Sequence, residues 1–430
     1  MRILVLGGYG LIGLAVSKML IAEGHDVLGL ARSARKGKAF LPDADWHAAD
    51  MAKLTRSSDW FEILGDVDAV INAAGVLQNG LKDNVQAVQR DAILALITAC
   101  EQRGVSKFIQ ISAPGVSETA STMFYRSKAA ADQALKKSAL EWTIFRPGLV
   151  ISPHAYGGTS LIRMLAAFPL IQPLVMADKQ IQTVSIDDVT AAIAKAIDTD
   201  LSKKDIDLVE PTSHSLTELV LHVRAWLGFS KPKAVWRLTN WLGWGTAKVA
   251  DVAGWLGWRS AMRSTALQVM TNGVTGDAED WKAVSAQPAK TLEQTLNRLP
   301  SSAQERVYAR AMLVFPIALI VLAGFWLSSG FIGLFQHNRA VEVLDSALSD
   351  KTAHAFVWLG SVTDILVGAA LLFRPFVRMA CFASILVSSG YLIASVIFTP
   401  QLWTDPLGPM VKVLPAIGLA LVVAALAEER

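Results

Sequence analysis

The sequence predicts an α/β domain built on a doubly wound parallel sheet, followed by an all-α domain of four membrane-spanning helices. Three observations carry that expectation. Short apolar runs alternate with segments of helical period over the first 150 residues, the pattern of successive βαβ units. A glycine triplet, Gly7, Gly10 and Gly13, stands where the first strand should pass into the first helix. From residue 310 onward the chain turns into long apolar runs, each near the length that crosses a bilayer.

The elements follow in order. Residues 2–7 (RILVLG) read as a short buried strand ending in glycine, and 11–23 carry apolar residues at helical spacing. Residues 26–32 and 68–75 read as further strands, with a short strand before Asp50. Residues 83–103 read as a helix, 107–112 as a strand, 124–139 as a helix and 141–148 as a strand. Beyond them, 182–197 read as a strand feeding a helix, and Ser215 with Glu218 has the spacing of a capping box. The expected domains are 1–230, with a small substrate or partner subdomain from residue 149, a connecting segment 231–305, and a membrane domain 306–430.

Composition bounds the function classes. Hydrophobic residues make up 52% of the 430 residues and charged residues 18%, with a mean hydropathy of +0.39. A soluble protein carries about 25% charged residues, so part of this chain belongs in lipid. The net charge of +3 and the lack of a long Lys/Arg tract argue against a nucleic-acid partner. Cys100 and Cys381 fall in different expected domains, which disfavours a disulfide framework and a cysteine metal site. No metal is expected. The N-terminus runs straight into a strand instead of a signal peptide, so the first domain is expected on the cytoplasmic side.

The connecting segment is rich in Trp236, Trp241, Trp244, Trp255 and Trp258, interleaved with Lys233, Arg237, Lys248, Arg259 and Arg263. Tryptophan and basic side chains favour the membrane–water interface, and the competing reading is a soluble subdomain with a tryptophan core. Four spans are expected at 311–335, 355–373, 379–398 and 411–427. Arg306, Arg310, Arg374, Arg378 and Arg430 lie on one side of them, against Arg339 and Lys351 on the other. The positive-inside rule then places both termini in the cytoplasm of a multi-pass (inner) cell-membrane protein. Asp364 and Lys412 are the ionisable residues of the spans. Charges at such depth face a partner or a cavity, and a buried pair locking the bundle is the favoured expectation, with snorkelling as the alternative for Lys412.

The glycine triplet has a specific physical meaning. The first glycine permits the tight turn, the second lets the backbone approach a pyrophosphate, and the third lets helix and strand pack closely. The N–H groups of the helix start, at Leu11, Ile12 and Gly13, face the phosphates with the positive end of the helix dipole. At the end of the second strand, NAD sites usually place an acid on the ribose 2′-hydroxyl. This chain has Arg32 there and Lys36 four residues on, so NADP(H) is favoured over NAD(H). Asp50, and Asn72, Ala73, Ala74 and Gly75 of the NAAG run, end neighbouring strands and complete the expected cofactor rim.

With these pieces the chain resembles the short-chain dehydrogenase/reductase superfamily, in its extended and atypical branches. The resemblance rests on the glycine spacing, NAAG (72–75), KFIQIS (107–112), YRSK (125–128), FRPG (145–148) and VSIDDV (184–189). RSK followed by small residues is similar to the group that includes the 39-kDa accessory subunit of respiratory complex I. Residues 306–430 resemble a DoxX-type four-helix membrane domain. The resemblance implies a cofactor-binding role for Lys128 and Pro147, and catalytic candidates at Lys128, Tyr125 and Ser112.

In catalytic members a phenol exchanges the proton at the substrate oxygen, a lysine lowers the phenol pKa and binds the nicotinamide ribose, and a serine polarises the substrate. Here Phe124 stands four before Lys128, where the phenol belongs, and Ala113 falls where the serine belongs, with Ser112 one place early. Three readings stay open: Tyr125 or another group substitutes; Lys128 is itself the base, as in isoflavone-reductase-like relatives; or the site binds nucleotide and does little chemistry. The expected function is oxidoreductase-type chemistry on a lipophilic, quinone- or isoprenoid-like substrate. The alternative is a non-catalytic NADP(H)-binding scaffold or assembly factor for a membrane complex. Membrane lipid is a partner under either.

Overall fold

The computed structural model describes residues 1–427 except 82, 200, 259 and 345–347. Arg259 and Arg430, named above, lie outside the described residues. The chain divides into two compact units, Met1–Val252 with Ser260–Ala309, and Ala253–Arg259 with Arg310–Arg430.

The first unit is built on a seven-stranded sheet: β1 (Arg2–Leu6), β2 (Asp26–Ala31), β3 (Asp45–Ala48), β4 (Ala69–Asn72), β5 (Lys107–Ile111), β6 (Glu141–Pro147) and β7 (Lys204–Leu208). All neighbours are parallel, in the order β3-β2-β1-β4-β5-β6-β7. The order reverses between β1 and β4, the switch point at which doubly wound sheets bind ligands. Alternate residues of β1 enter opposite core layers. Ile3 and Val5 pack with Val16, Leu20 and Val189, while Leu4 and Leu6 pack with Trp60, Leu96 and Phe108, as the two-residue period of a strand requires.

Helix α1 covers Leu11–Ala22. The helix expected over 83–103 opens with a π-turn, Ala87–Asp91, and continues as Ala92–Arg103. Gly104 stops it at φ 71°, a left-handed cap that a side chain would strain. Trp46 of β3 lies in a slot formed by Gly8, Gly29 and Gly37: a Cβ on Gly29 or Gly37 would overlap the indole, whose Nε1 donates to the Leu41 carbonyl at 3.1 Å.

Past β6 the chain forms short paired strands and helices, including the capping box at Ser215 and Glu218. Fully buried Glu210 ties them together, accepting from the Thr183 and Leu292 backbone N–H groups at 2.9 and 2.7 Å. Much of 231–305 packs in this first unit: Ala234–Leu238 pairs with Ile171–Val175, and Trp281 joins the core. Trp236, Trp241 and Trp255 stay exposed.

Among the described residues, three helices, Ala303–Phe335, Asp350–Leu372 and Val377–Phe398, are long and apolar enough to cross a membrane. The expected fourth is the 14-residue helix Val413–Leu426, about 21 Å long at 1.5 Å per residue against a hydrocarbon core of about 30 Å. It starts late because Pro406, Gly408 (φ 55°) and Pro409 hold the preceding residues in turns. Small residues bring the helices together: a Cβ on Gly368 would press on Leu327, and one on Gly333 on Ser361, the small-residue packing of membrane helices. The expected Asp364–Lys412 pair does not form. Asp364 is buried and accepts from the Ser329 hydroxyl at 2.6 Å and the Tyr391 hydroxyl at 2.7 Å. Lys412 is exposed at the start of the short helix, where its amine needs no buried partner.

Candidate nucleotide and active site

The loop from β1 to α1 has the shape that its glycines demand. Gly7 sits at φ 69°, and a Cβ there would lie 3.0 Å from the Ala74 Cα and 3.1 Å from the Ala73 carbonyl oxygen. A Cβ on Gly13 would overlap the Gly7 carbonyl, which itself accepts from the Gly10 N–H at 2.8 Å. Gly10 caps α1 without a side chain, and the first intrahelical N–H is that of Leu14. The N–H groups of Leu11, Ile12 and Gly13 therefore open at the positive end of the helix dipole, a seat for a phosphate. The NAAG loop beside it is fixed by buried Asn72, which donates to Gln110 Oε1 at 2.8 Å and accepts from the Ala74 N–H at 3.1 Å. These residues fit a dinucleotide: the glycine positions are a cradle that any Cβ would fill. Gly75 follows at the open end of the loop, with space for a Cβ.

Arg32 follows β2 and donates from Nη1 to Asp83 Oδ1 at 2.8 Å. Lys36 lies in the next helix, where its N–H caps on Ser33 at 3.3 Å. Asp50, two residues past β3, accepts from the Ala52 N–H at 3.2 Å. All these loops leave the carboxyl ends of neighbouring parallel strands. Asp83 had no signal in the sequence, because it lies 51 residues from Arg32 and meets it only through the fold.

Lys128 lies on the helix Met123–Lys137, which Thr122 caps. It is buried and its Nζ donates to the Ile111 carbonyl at 2.7 Å. Burial pushes its pKa down to about 8; Asp132 opposes the shift and Arg146 adds to it. The Phe124 ring centroid is 5.8 Å from Nζ. Tyr125 is buried, its burial raises the phenol pKa, and its hydroxyl lies toward Gly115. A helix turns about 100° per residue, which takes Tyr125 off the face that Phe124 and Lys128 share.

Ser112 is buried and donates to Asp132 Oδ2 at 2.6 Å. Asp132 also accepts from Arg146 at 3.1 Å. Arg146 forks onto Asp205 at 2.7 and 3.0 Å, and Lys136 reaches the same carboxylate at 2.6 Å. Burial pushes the Asp132 carboxyl up against the pull of Ser112, Arg146 and Lys128. Asp132 and Asp205 belong to no motif of the sequence, and Arg146 enters only within FRPG; the spacing signal for Asp132 is its place four residues past Lys128, on the same helix face. Pro147 is buried at the end of β6, and the chain leaves the sheet at Gly148, where a Cβ would overlap the Gln182 carbonyl. Among the described residues no group of three His, Cys, Asp or Glu side chains forms a metal site.

Residues 7–200 match the NAD(P)H-binding family, and residues 323–421 match the DoxX-like family. The chain is 29% identical over 147 residues to the photosystem II assembly factor Ycf39 of Synechocystis, covering 34% of this chain and 44% of that one. It is 31% identical over 147 residues to the mitochondrial NADH dehydrogenase (ubiquinone) 1 alpha subcomplex subunit 9 of Arabidopsis thaliana, covering 32% and 36%. It thus spans less than half the length of either relative. Its fold is similar to that of dTDP-glucose 4,6-dehydratase from Bacillus anthracis in complex with NAD, with a TM-score of 0.52, 16% identity, and coverage of 69% of this chain and 94% of that one. The chain therefore joins a Rossmann-type domain that matches the NAD(P)H-binding family to a region that matches the DoxX-like family, with helices of membrane-spanning length.

Proposed function

We propose that this protein is a membrane-anchored NADP(H)-binding scaffold that assembles or stabilises a membrane complex and has little carbonyl chemistry of its own. One observation carries the reading: a phenylalanine ring, not a phenol, stands beside the buried lysine. The cofactor half of the site keeps its glycine cradle and its lysine, while Ser112 is engaged with Asp132 inside the protein. The two relatives above, one an assembly factor and one a subunit of NADH dehydrogenase, support a role in a membrane complex. Arg32 and Lys36, cations at the end of β2, support NADP(H) over NAD(H). Arg306, Arg310, Arg374 and Arg378, against Arg339 and Lys351, support a multi-pass cell-membrane protein with both termini cytoplasmic.

A second reading, oxidoreductase chemistry on a lipid-soluble carbonyl or quinone, is favoured by Lys128 alone. A lysine held down to about 8 is near the range of a working acid or base. One experiment separates the two readings. The detergent-solubilised full chain is assayed for NADPH binding by calorimetry, for hydride transfer to lipophilic ketones and quinones, and for migration on native gels. Binding without turnover, and co-migration with a larger assembly that Gly13→Ala abolishes, is the expected result. Fast turnover with the protein migrating alone overturns the scaffold reading.

A further inference from the structure

We infer that Asp83 sets the balance between NADH and NADPH by competing for Arg32. The inference rests on the dinucleotide reading above and concerns one end of that site. Where a strand-end acid usually meets the ribose 2′-hydroxyl, this chain has Arg32. The fold then supplies an acid from elsewhere. Asp83 pairs with the guanidinium at 2.8 Å, with its own side chain 16% exposed against 44% for Arg32.

Hydrogen bonds tie the backbone of Asp83 and of residues near it. Gly80 and Asp83 exchange backbone hydrogen bonds at 3.0 and 3.3 Å. Asn79 Oδ1 accepts from the Val85 N–H at 2.8 Å, and the Asn79 carbonyl accepts from Arg263 at 2.9 Å. Arg263 is itself held by Asp251 at 3.3 Å. Arg32 therefore meets an acceptor whose backbone is hydrogen-bonded to Gly80.

The chemistry of the two cofactors differs at this point. A ribose 2′-hydroxyl is a donor, and Asp83 can accept from it as a strand-end acid does. A 2′-phosphate has no such donor once ionised. It repels the carboxylate and needs the guanidinium that Asp83 holds. Asp83 thus weakens NADPH selectively, and Arg32 retains a modest preference for it.

The test is calorimetry of NADH and NADPH on the full chain in detergent, comparing the parent with Asp83→Asn. NADPH is expected to bind about tenfold tighter to the variant, the factor that about 1.4 kcal/mol of relieved repulsion supplies, while NADH affinity stays the same or falls. The gain should shrink at high salt and in an Arg32→Ala background. Asp83→Ser serves as the second variant and should move the ratio in the same direction. If both cofactors bind the parent and neither variant moves their ratio, Asp83 is only a loop anchor and the inference fails alone. If the parent binds neither cofactor, the dinucleotide reading fails and takes this inference with it.

Discussion

Phe124 places its ring centroid 5.8 Å from the Lys128 ammonium, one helical turn before it on the same face. The position from which a phenol would serve a substrate oxygen is thus filled by a side chain with no proton to give. A positioned acid contributes about 10²–10⁴ in rate. Phe124→Tyr is therefore expected to raise NADPH-dependent reduction of a generic lipophilic ketone by at least about tenfold. Tyr125→Phe is expected to leave the parent rate essentially unchanged. Steady-state NADPH oxidation measures both, and a fast parent rate lost on Tyr125→Phe would make Tyr125 the acid.

Lys128 costs stability for the sake of its position. Its pKa falls from 10.5 to about 8 on folding because it is buried, so keeping it charged below pH 8 costs on the order of 3 kcal/mol. Between pH 8 and 10.5 the unfolded chain holds a proton that the folded chain has released, so stability gains with rising pH in that window. Lys128→Met is expected to raise the Tm at pH 7 and to weaken NADPH binding. Its Tm advantage over the parent should narrow from pH 8 to pH 10. An advantage that stays constant across that range would show that the buried amine is not the cause.

Gly13→Ala forces a methyl onto the Gly7 carbonyl. The loop must open to accept it, which moves the Leu11 and Ile12 N–H groups off their common aim. Dinucleotide binding should be lost by calorimetry, and the Tm should drop by several degrees, since overpacking typically costs about 1–3 kcal/mol. Gly245→Ala, on the helix Asn240–Trp255 outside the nucleotide loops, is the control, because space is open there. Its substitution should leave both readings near the parent.

In the helical unit, Asp364 links three helices through Ser329 and Tyr391. Asp364→Ala leaves both hydroxyls without this acceptor, and Tyr391→Phe removes one bond. Hydrogen bonds in membrane helices are worth about 0.6 kcal/mol on average. Thermal unfolding in detergent should therefore show Asp364→Ala clearly below the parent and Tyr391→Phe only slightly below. Equal, negligible effects would show that glycine packing alone holds these helices.

The sequence carried the sheet because each strand is a local apolar run and each connection a local helical period. β1, α1 and the Gly7–Gly13 loop were legible without any tertiary information. The membrane helices were legible for the same reason, up to the last. There Pro406, Gly408 and Pro409 were visible, but how far they would shorten the helix was not. The partners of Asp364 and Arg32 were not legible at all. A pair such as Ser112–Asp132 or Arg32–Asp83 is made by chain segments that meet only after folding, and no spacing rule links them. Composition offered Lys412 as a plausible partner for Asp364, but two uncharged hydroxyls satisfied the carboxylate instead.

The slot around Trp46 binds four positions into one unit of inheritance. Gly29 and Gly37 cannot acquire a methyl group while the indole is there, and Gly8 has little room for one. Drift at these glycines is blocked until Trp46 shrinks. Once it does, the vacated volume rewards side chains at all three. Descendants of this sequence should then show either a large aromatic with three glycines or a small residue with fewer of them, and rarely a mixture.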